Sequence, residues 1–207
     1  TQQVIVTTAI LGACLVLQDS PPDEPATQWY RGNTHTHTLW SDGDDYLEMI
    51  ALWYRDSDYD FLCFTDHNTL ATSKDRWVDI SKKATGKDAY DKLKKRFPDG
   101  WVEERSKGGK TEVRLKTFEE VVAKVARKDF LLIQGEEVTD RFERLPVHLC
   151  ATNIKDLIPP LHGESVTETI NNNVNALIAQ RERTGQPMII HLNPPNFGYG
   201  VTAEDLM

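Results

Sequence analysis

Residues 31–45 read RGNTHTHTLWSDGDD, in which two histidines stand one residue apart and an aspartate follows the second by five. Side chains two positions apart share a face of an extended strand but not of a helix. His35 and His37 therefore point the same way if this stretch is a strand, and Asp42 arrives on the turn beyond it. Two imidazoles and a carboxylate make the beginning of a divalent-metal site. Alone, they read equally well as surface histidines beside an acidic loop. The rest of the chain weights the metal reading. Thr65-Asp66-His67-Asn68 follows the apolar run FLCF, and Gly135-Glu136-Glu137 follows FLLIQ. His148 lies inside PVHLCA, and His191 follows PMII. Five strand-like runs thus carry a metal-capable residue, four of them at or just past the C-terminal end. In β/α barrels that rim carries the active site.

The elements that must position these groups are short apolar runs alternating with helical patterns. Strands are expected at 61–64, 130–133, 147–151 and 188–190. A helix is expected over 44–55, with Leu47, Ile50, Ala51 and Tyr54 on one face. A second opens at Thr117, boxed with Glu120, and carries the stripe Phe118, Val121, Val122 and Val125. A third opens at Ser165, boxed with Glu168, and closes near Gly185. The alternation predicts an α/β fold with a mainly parallel sheet. Residues 69–115 interrupt it as a long charged insertion, either a functional loop or a small subdomain.

The chain has 207 residues, net charge −8 and 39% hydrophobic residues, enough for one domain with its own core. The acidic balance argues against broad nucleic-acid binding. Residues 74–116 hold 14 Lys/Arg against 8 Asp/Glu, whereas the remainder holds 10 against 24. That basic segment either attracts an anionic substrate or is a solvated insertion. Residues 1–28 read as a partial signal peptide and a polar, proline-rich linker; VIVTTAILGACLVL is too short to span a membrane. Export to the periplasm or beyond follows, with the folded domain covering 29–207. Leu11-Gly12-Ala13-Cys14 could be a lipoprotein box, although the apolar Leu15-Val16-Leu17 speaks against it. Thr202 and Asp205 resemble a helix start, which suggests that the domain is cut short at its C-terminus. Cys63 and Cys150 read as small buried residues, and a disulfide between them stays open for an exported chain.

Taken in order, NTHTHTLWSDG, FTDHN, GEEVT, VHLCAT and IIHLN resemble the successive motifs of the PHP (polymerase and histidinol phosphatase) superfamily over about residues 30–207. The N-terminal segment is similar to that of secreted bacterial members. The resemblance implies a distorted (β/α)7 TIM-like barrel holding two to three divalent ions (Zn, Mn or Fe). It implies hydrolysis of a small-molecule phosphate ester by a metal-activated water. Relatives that cut amide or carbamate bonds, and PHP modules that serve only as structure, are the alternatives. By the same resemblance His35 and His37 bind one metal, Asp42 and His67 a second. Glu137 bridges the first and a third, which His148 and His191 complete. Glu137 is preferred to Glu136 because the family pattern is Gly-x-Glu, and Glu136 is then a strand-end side chain facing outward. Asp66 is either a capping residue or an acceptor for a ligating imidazole. His162 matches no motif and reads as a loop residue. The sequence departs from the pattern at Pro194, where secreted relatives often have a histidine. The family's closing Asp-x-His is expected beyond Met207.

Overall fold

A computed structural model describes residues 27–83 and 86–207. The expected leader and Cys14 lie outside the described residues. The chain folds as a mixed α/β protein around a curled five-stranded sheet. Its elements begin with β1 (Gly32–Asn33), α1 (Leu47–Asp56) and β2 (Phe61–Phe64). The insertion then supplies β3 (Trp77–Asp79), α2 (Gly86–Arg96), β4 (Glu104–Lys107) and β5 (Lys110–Arg114). After it come α3 (Phe118–Val125), β6 (Leu131–Phe142), β7 (Leu145–Thr152), α4 (Val166–Thr184) and β8 (Ile189–Leu192). Among the described residues no helix is long and apolar enough to cross a membrane.

The sheet order is β1-β2-β6-β7-β8. The expectation of a mainly parallel sheet holds only for β1, β2 and β6; β7 runs antiparallel to both β6 and β8. The cause is the turn Glu143-Arg144. Glu143 takes a left-handed φ of 51°, which folds β6 directly back on β7 with no crossover helix between them. β6 also runs nine residues further than the expected 130–133 strand, so Glu136 and Glu137 sit inside a strand rather than after one.

The helix-end signals hold at Thr117 and Gly185, while the box expected at Ser165 forms only in part, because the Glu168 carboxylate accepts from the Glu164 N–H instead. Thr117 and Glu120 form a reciprocal capping box, Ser165 accepts from the Glu168 N–H, and Gly185 closes α4 in the left-handed region at φ 67°. On α1 the fully covered positions are Leu47, Glu48, Ala51 and Leu52, while Ile50 and Tyr54 pack only in part. The main core joins Trp40, Leu47, Leu62, Val121 and Phe130 to Leu93 and Val113 of the insertion. The insertion is therefore a subdomain, a three-stranded antiparallel sheet ordered β3-β5-β4 with α2 beside it, and it shares the core. Trp101 anchors it by donating its indole N–H to the buried Glu48 at 2.9 Å. Trp53, on α1, is by contrast 61% exposed.

Arg114, at the end of β5, ties the subdomain to the cap of α3. Its guanidinium donates to Glu103 at 2.8 Å and to Glu120 at 2.7 Å. Those bonds hold both carboxyls down to about 2. A depressed carboxyl stabilises the fold above its unfolded pKa and loses that contribution as pH falls through the folded value. Arg114→Met should therefore melt lower than the parent at pH 7, by about 1 kcal/mol once solvent screening of the half-exposed Glu103 is allowed for. The gap should narrow as pH falls from about 4.5 to about 2. Melting curves across that range would expose a constant gap as a failure of this account.

Candidate metal centre

Register across three strands sets one wall of the site. Glu137 on β6 lies opposite Cys150 on β7, which lies opposite His191 on β8. Residues opposite one another in antiparallel strands share a face, as do positions two apart along one strand. The row Glu137–Cys150–His191 and the neighbouring pair Thr139–His148 therefore face the same way. Glu136 faces the other way. It is fully buried, accepts from the Ile158 N–H at 2.9 Å and has its second oxygen unpartnered, so burial raises its carboxyl to about 7. The expectation that Glu136 points outward is corrected: the back of this sheet is covered by α4 and its connection, so the residue turned away from the site enters a core.

The opposite wall comes from the two loops at the ends of β1 and β2. The HxH stretch is not a strand, as the first reading required; β1 ends at Asn33 and residues 35–38 are irregular. The Thr65 hydroxyl nonetheless binds the stretch to β2, accepting from the Thr36 N–H at 3.0 Å and meeting His35 Nδ1 at 2.8 Å. The His35 and His37 rings pack edge to face with centroids 4.7 Å apart. After β2, His67 pairs with Glu137 in a parallel bridge. Asn68, at φ 46°, then continues the ladder with its side chain, donating to the Thr139 carbonyl and accepting from the Thr139 N–H.

Asp66 contacts no imidazole. It is buried and accepts from the Thr38 N–H at 2.7 Å, the Thr38 hydroxyl at 2.9 Å and the Ser41 hydroxyl at 2.6 Å. Its job is to hold the turn that carries Asp42. Gly43 in that turn has no room for a side chain, because a Cβ would lie 2.5 Å from the His37 carbonyl carbon and the Thr38 nitrogen.

Glu137 is the centre of the arrangement. Its side chain is 2% exposed, and one of its oxygens lies 2.8 Å from His37 Nε2 and 3.0 Å from His67 Nδ1. The other lies 3.4 Å from His148 Nδ1 and accepts from the Asn193 amide at 3.3 Å. Asp42 spans the outer side, 2.8 Å from His37 Nδ1 and 3.5 Å from His67 Nε2. Burial works against the charge on Glu137, but contacts with His148, His37 and His67 outweigh it and hold the carboxyl far below its usual range. The same Glu137 contact raises His37. Burial lowers His35, with added repulsion from His37, His191 and His67, which keeps that imidazole neutral and fit to donate a lone pair.

Two ligand groups emerge, His35–His37–Glu137 and His37–Asp42–His67, each with its donor atoms within 4.8 Å of one another. Donors bound to one ion at about 2.0–2.2 Å lie about 3–3.5 Å apart, which matches most of the spacings here. The decisive observation is that His37 Nε2 and the facing Glu137 Oε2 are buried with no hydrogen-bond partner, although only 2.8 Å apart. Buried polar atoms are rarely left so, and an ion is the partner that would satisfy both. The residues present therefore fit a divalent metal. Cys150, 3.0 Å from His35 Nδ1, and Asn193 belong to the site and escaped the sequence reading. The i+2 rule applied beyond His148 and beyond His191 would have found them. Cys63 and Cys150 are buried free thiols with no disulfide between them. His162 lies outside the site, its ring 2.5 Å from the buried Asp140.

No protein-family model and no curated protein matches the chain. Among solved structures it is similar to a proposed metal-dependent phosphoesterase from Bifidobacterium adolescentis, at 19% identity and a TM-score of 0.32. The match covers 62% of this chain and 29% of that one, so the chain spans less than a third of that protein's length. A likeness of that size decides neither fold nor function.

The two adjacent glutamates give a direct test of the geometry. Glu137→Gln should leave the protein without bound zinc or manganese by elemental analysis, whereas Glu136→Gln should retain the parent's metal content. Equal loss in both variants would mean that the face assignment is wrong.

Proposed function

We propose that the chain is the metal-binding part of an exported hydrolase of PHP type that cleaves a small-molecule phosphate ester. The observation that carries this reading is the buried pair His37 Nε2 and Glu137 Oε2, in close ionic contact but with neither atom in a hydrogen bond, at the meeting point of three imidazoles. His35, His37, Asp42, His67, Glu137, His148 and His191 would hold two to three divalent ions, with Glu137 shared between sites. When bound, such ions supply Lewis acidity: they lower the pKa of a water and neutralise charge on a phosphoryl oxygen.

The chain's own residues supply the rest. Glu137, kept ionised by its imidazole contacts, is a permanent anion that gathers cations. The Thr65 hydroxyl faces His35 Nδ1, which leaves Nε2 of that ring free to act as a donor. Asp42 is 67% exposed and forms the outward edge of the group, the side from which a substrate would approach. The barrel reading follows from the same resemblance, with β1, β2 and β6 as its parallel strands, and export rests on the N-terminal segment alone.

One observation favours a second reading, in which the same centre hydrolyses a carboxyl ester, amide or carbamate. Many cations of the basic insertion are engaged elsewhere: Arg105 with Glu112, Lys110 with Asp79, Lys94 with Glu104, and Arg114 and Lys116 with Glu103. The segment keeps its net positive charge, but these side chains are already engaged rather than poised to hold a phosphate directly.

Turnover of p-nitrophenyl phosphate and p-nitrophenyl acetate, before and after chelation, separates the readings. Phosphatase activity that chelation abolishes, divalent ions restore and His35→Ala eliminates is the expected result. Metal-dependent turnover of the acetate alone would move the assignment to the second reading. A protein that binds no metal under any condition would end both.

A further inference from the structure

The turn over residues 38–45 has an unusual support. The Asp42 carboxylate is two-thirds exposed; apart from a long bond from the neighbouring Ser41 hydroxyl at 3.4 Å, it contacts the His37 and His67 rings, groups that would themselves turn toward a metal. Its position must therefore be set by its backbone. From inside, Asp66 holds Thr38 and Ser41. From outside, further support comes from the insertion and its exit. Arg76 donates to the Trp40 carbonyl at 2.5 Å and lies over the Trp40 ring. The Trp40 indole donates to the Lys116 carbonyl at 3.1 Å. Lys92 binds the Asp45 carboxylate at 2.7 Å. Lys83 reaches furthest: its ammonium donates to the main-chain carbonyls of both Asp42 and Gly43.

We propose that the insertion is a clamp on the metal loop and that Lys83 is its positioning residue, fixing the Asp42 backbone so that the carboxylate meets His67 across a cation. This rests on the metal reading above and replaces the idea that the insertion's basic residues gather an anionic substrate. Lys83 suits the task because an ammonium carries three donors on a long flexible stem and can donate to two carbonyls at once. The adjoining Gly43 packs against the His37 and Thr38 backbone so closely that an added Cβ would lie 2.5 Å from it. Movement at Lys83 is therefore passed first to the Asp42 backbone. The two ligand groups should respond unequally: His37–Asp42–His67 depends on the loop, while His35 and Glu137 are held by Thr65 and by the β6–β7 register.

The test is a Co²⁺ titration followed by its visible ligand-field spectrum and by calorimetry, on the parent, Lys83→Met and Lys83→Arg. Circular dichroism verifies that each is folded. In the parent, more than one Co²⁺ should bind. In Lys83→Met one ion should weaken by about tenfold or more, the size typical of losing an outer support, while another keeps its affinity. Lys83→Arg should restore the weak ion, because a guanidinium can span the same two carbonyls. If Lys83→Met does not fold, Lys92→Met, which removes a surface strut of the same clamp, should give the same unequal weakening. Unchanged Co²⁺ binding with a raised KM for an anionic substrate would overturn the clamp and make Lys83 a substrate contact. A parent that binds Co²⁺ while both variants match it would overturn the clamp alone, whereas a parent that binds none would overturn the metal reading beneath it.

Discussion

A carboxylate buried to 2% exposure stays ionised only if its surroundings repay the hydration it has lost. Around Glu137 that return comes from three imidazoles and one amide, delivered by β2's exit loop, β7, β8's exit and the HxH stretch. Most of the architecture can be read as the means of bringing those donors to one oxygen pair. β2 lies beside β6 so that His67 pairs with Glu137, and the hairpin turn at Glu143 sets His148 on the same face. The arrangement is left incomplete, because the closest pair of atoms in it makes no hydrogen bond. A core built only for stability would not leave two polar atoms in that state.

Much of this was legible in the residues, and the limits are physical. Capping boxes and a C-terminal glycine are local chemistry, so the bounds of α3 and α4 could be read directly from Thr117, Ser165 and Gly185. The spacing of the histidines gave the right neighbours for a partly wrong reason. His35 and His37 do come together, yet through a hydroxyl on β2 rather than through a strand of their own. The choice of Glu137 over Glu136 rested on a family pattern; in the structure the alternation of β6 turns Glu137 toward the histidines and Glu136 toward the core. The antiparallel return of β7 was hidden because a two-residue turn of Glu and Arg carries none of the usual glycine or asparagine signal. Likewise the burial of Glu136 depends on what covers the back of the sheet, which no local pattern near residue 136 records.

The insertion shows how charge counts mislead when read without partners. Its cations look like a patch for an anion, but the acidic residues of the same segment and of the metal loop take up many of them. What remains at the interface with the main domain is a set of directional donors. The subdomain shares a core with α1, α3 and β2, so it cannot drift relative to the sheet, and its contacts with the loop are correspondingly fixed.

The site is also divided in time as well as in space. Glu137, His148 and Cys150 belong to one hairpin, closed by a two-residue turn and therefore able to form by local zipping at little entropic cost. His35 meets Cys150 across 115 residues of chain, and His67 meets Thr139 across 72. Those contacts must wait for long loops, including the whole insertion, to close. Until those contacts form, the hairpin by itself holds Glu137 and His148 without the histidines of the N-terminal side. A cation held there would reward the final docking of the HxH stretch, so that the last step of folding and the first step of metal loading become one event.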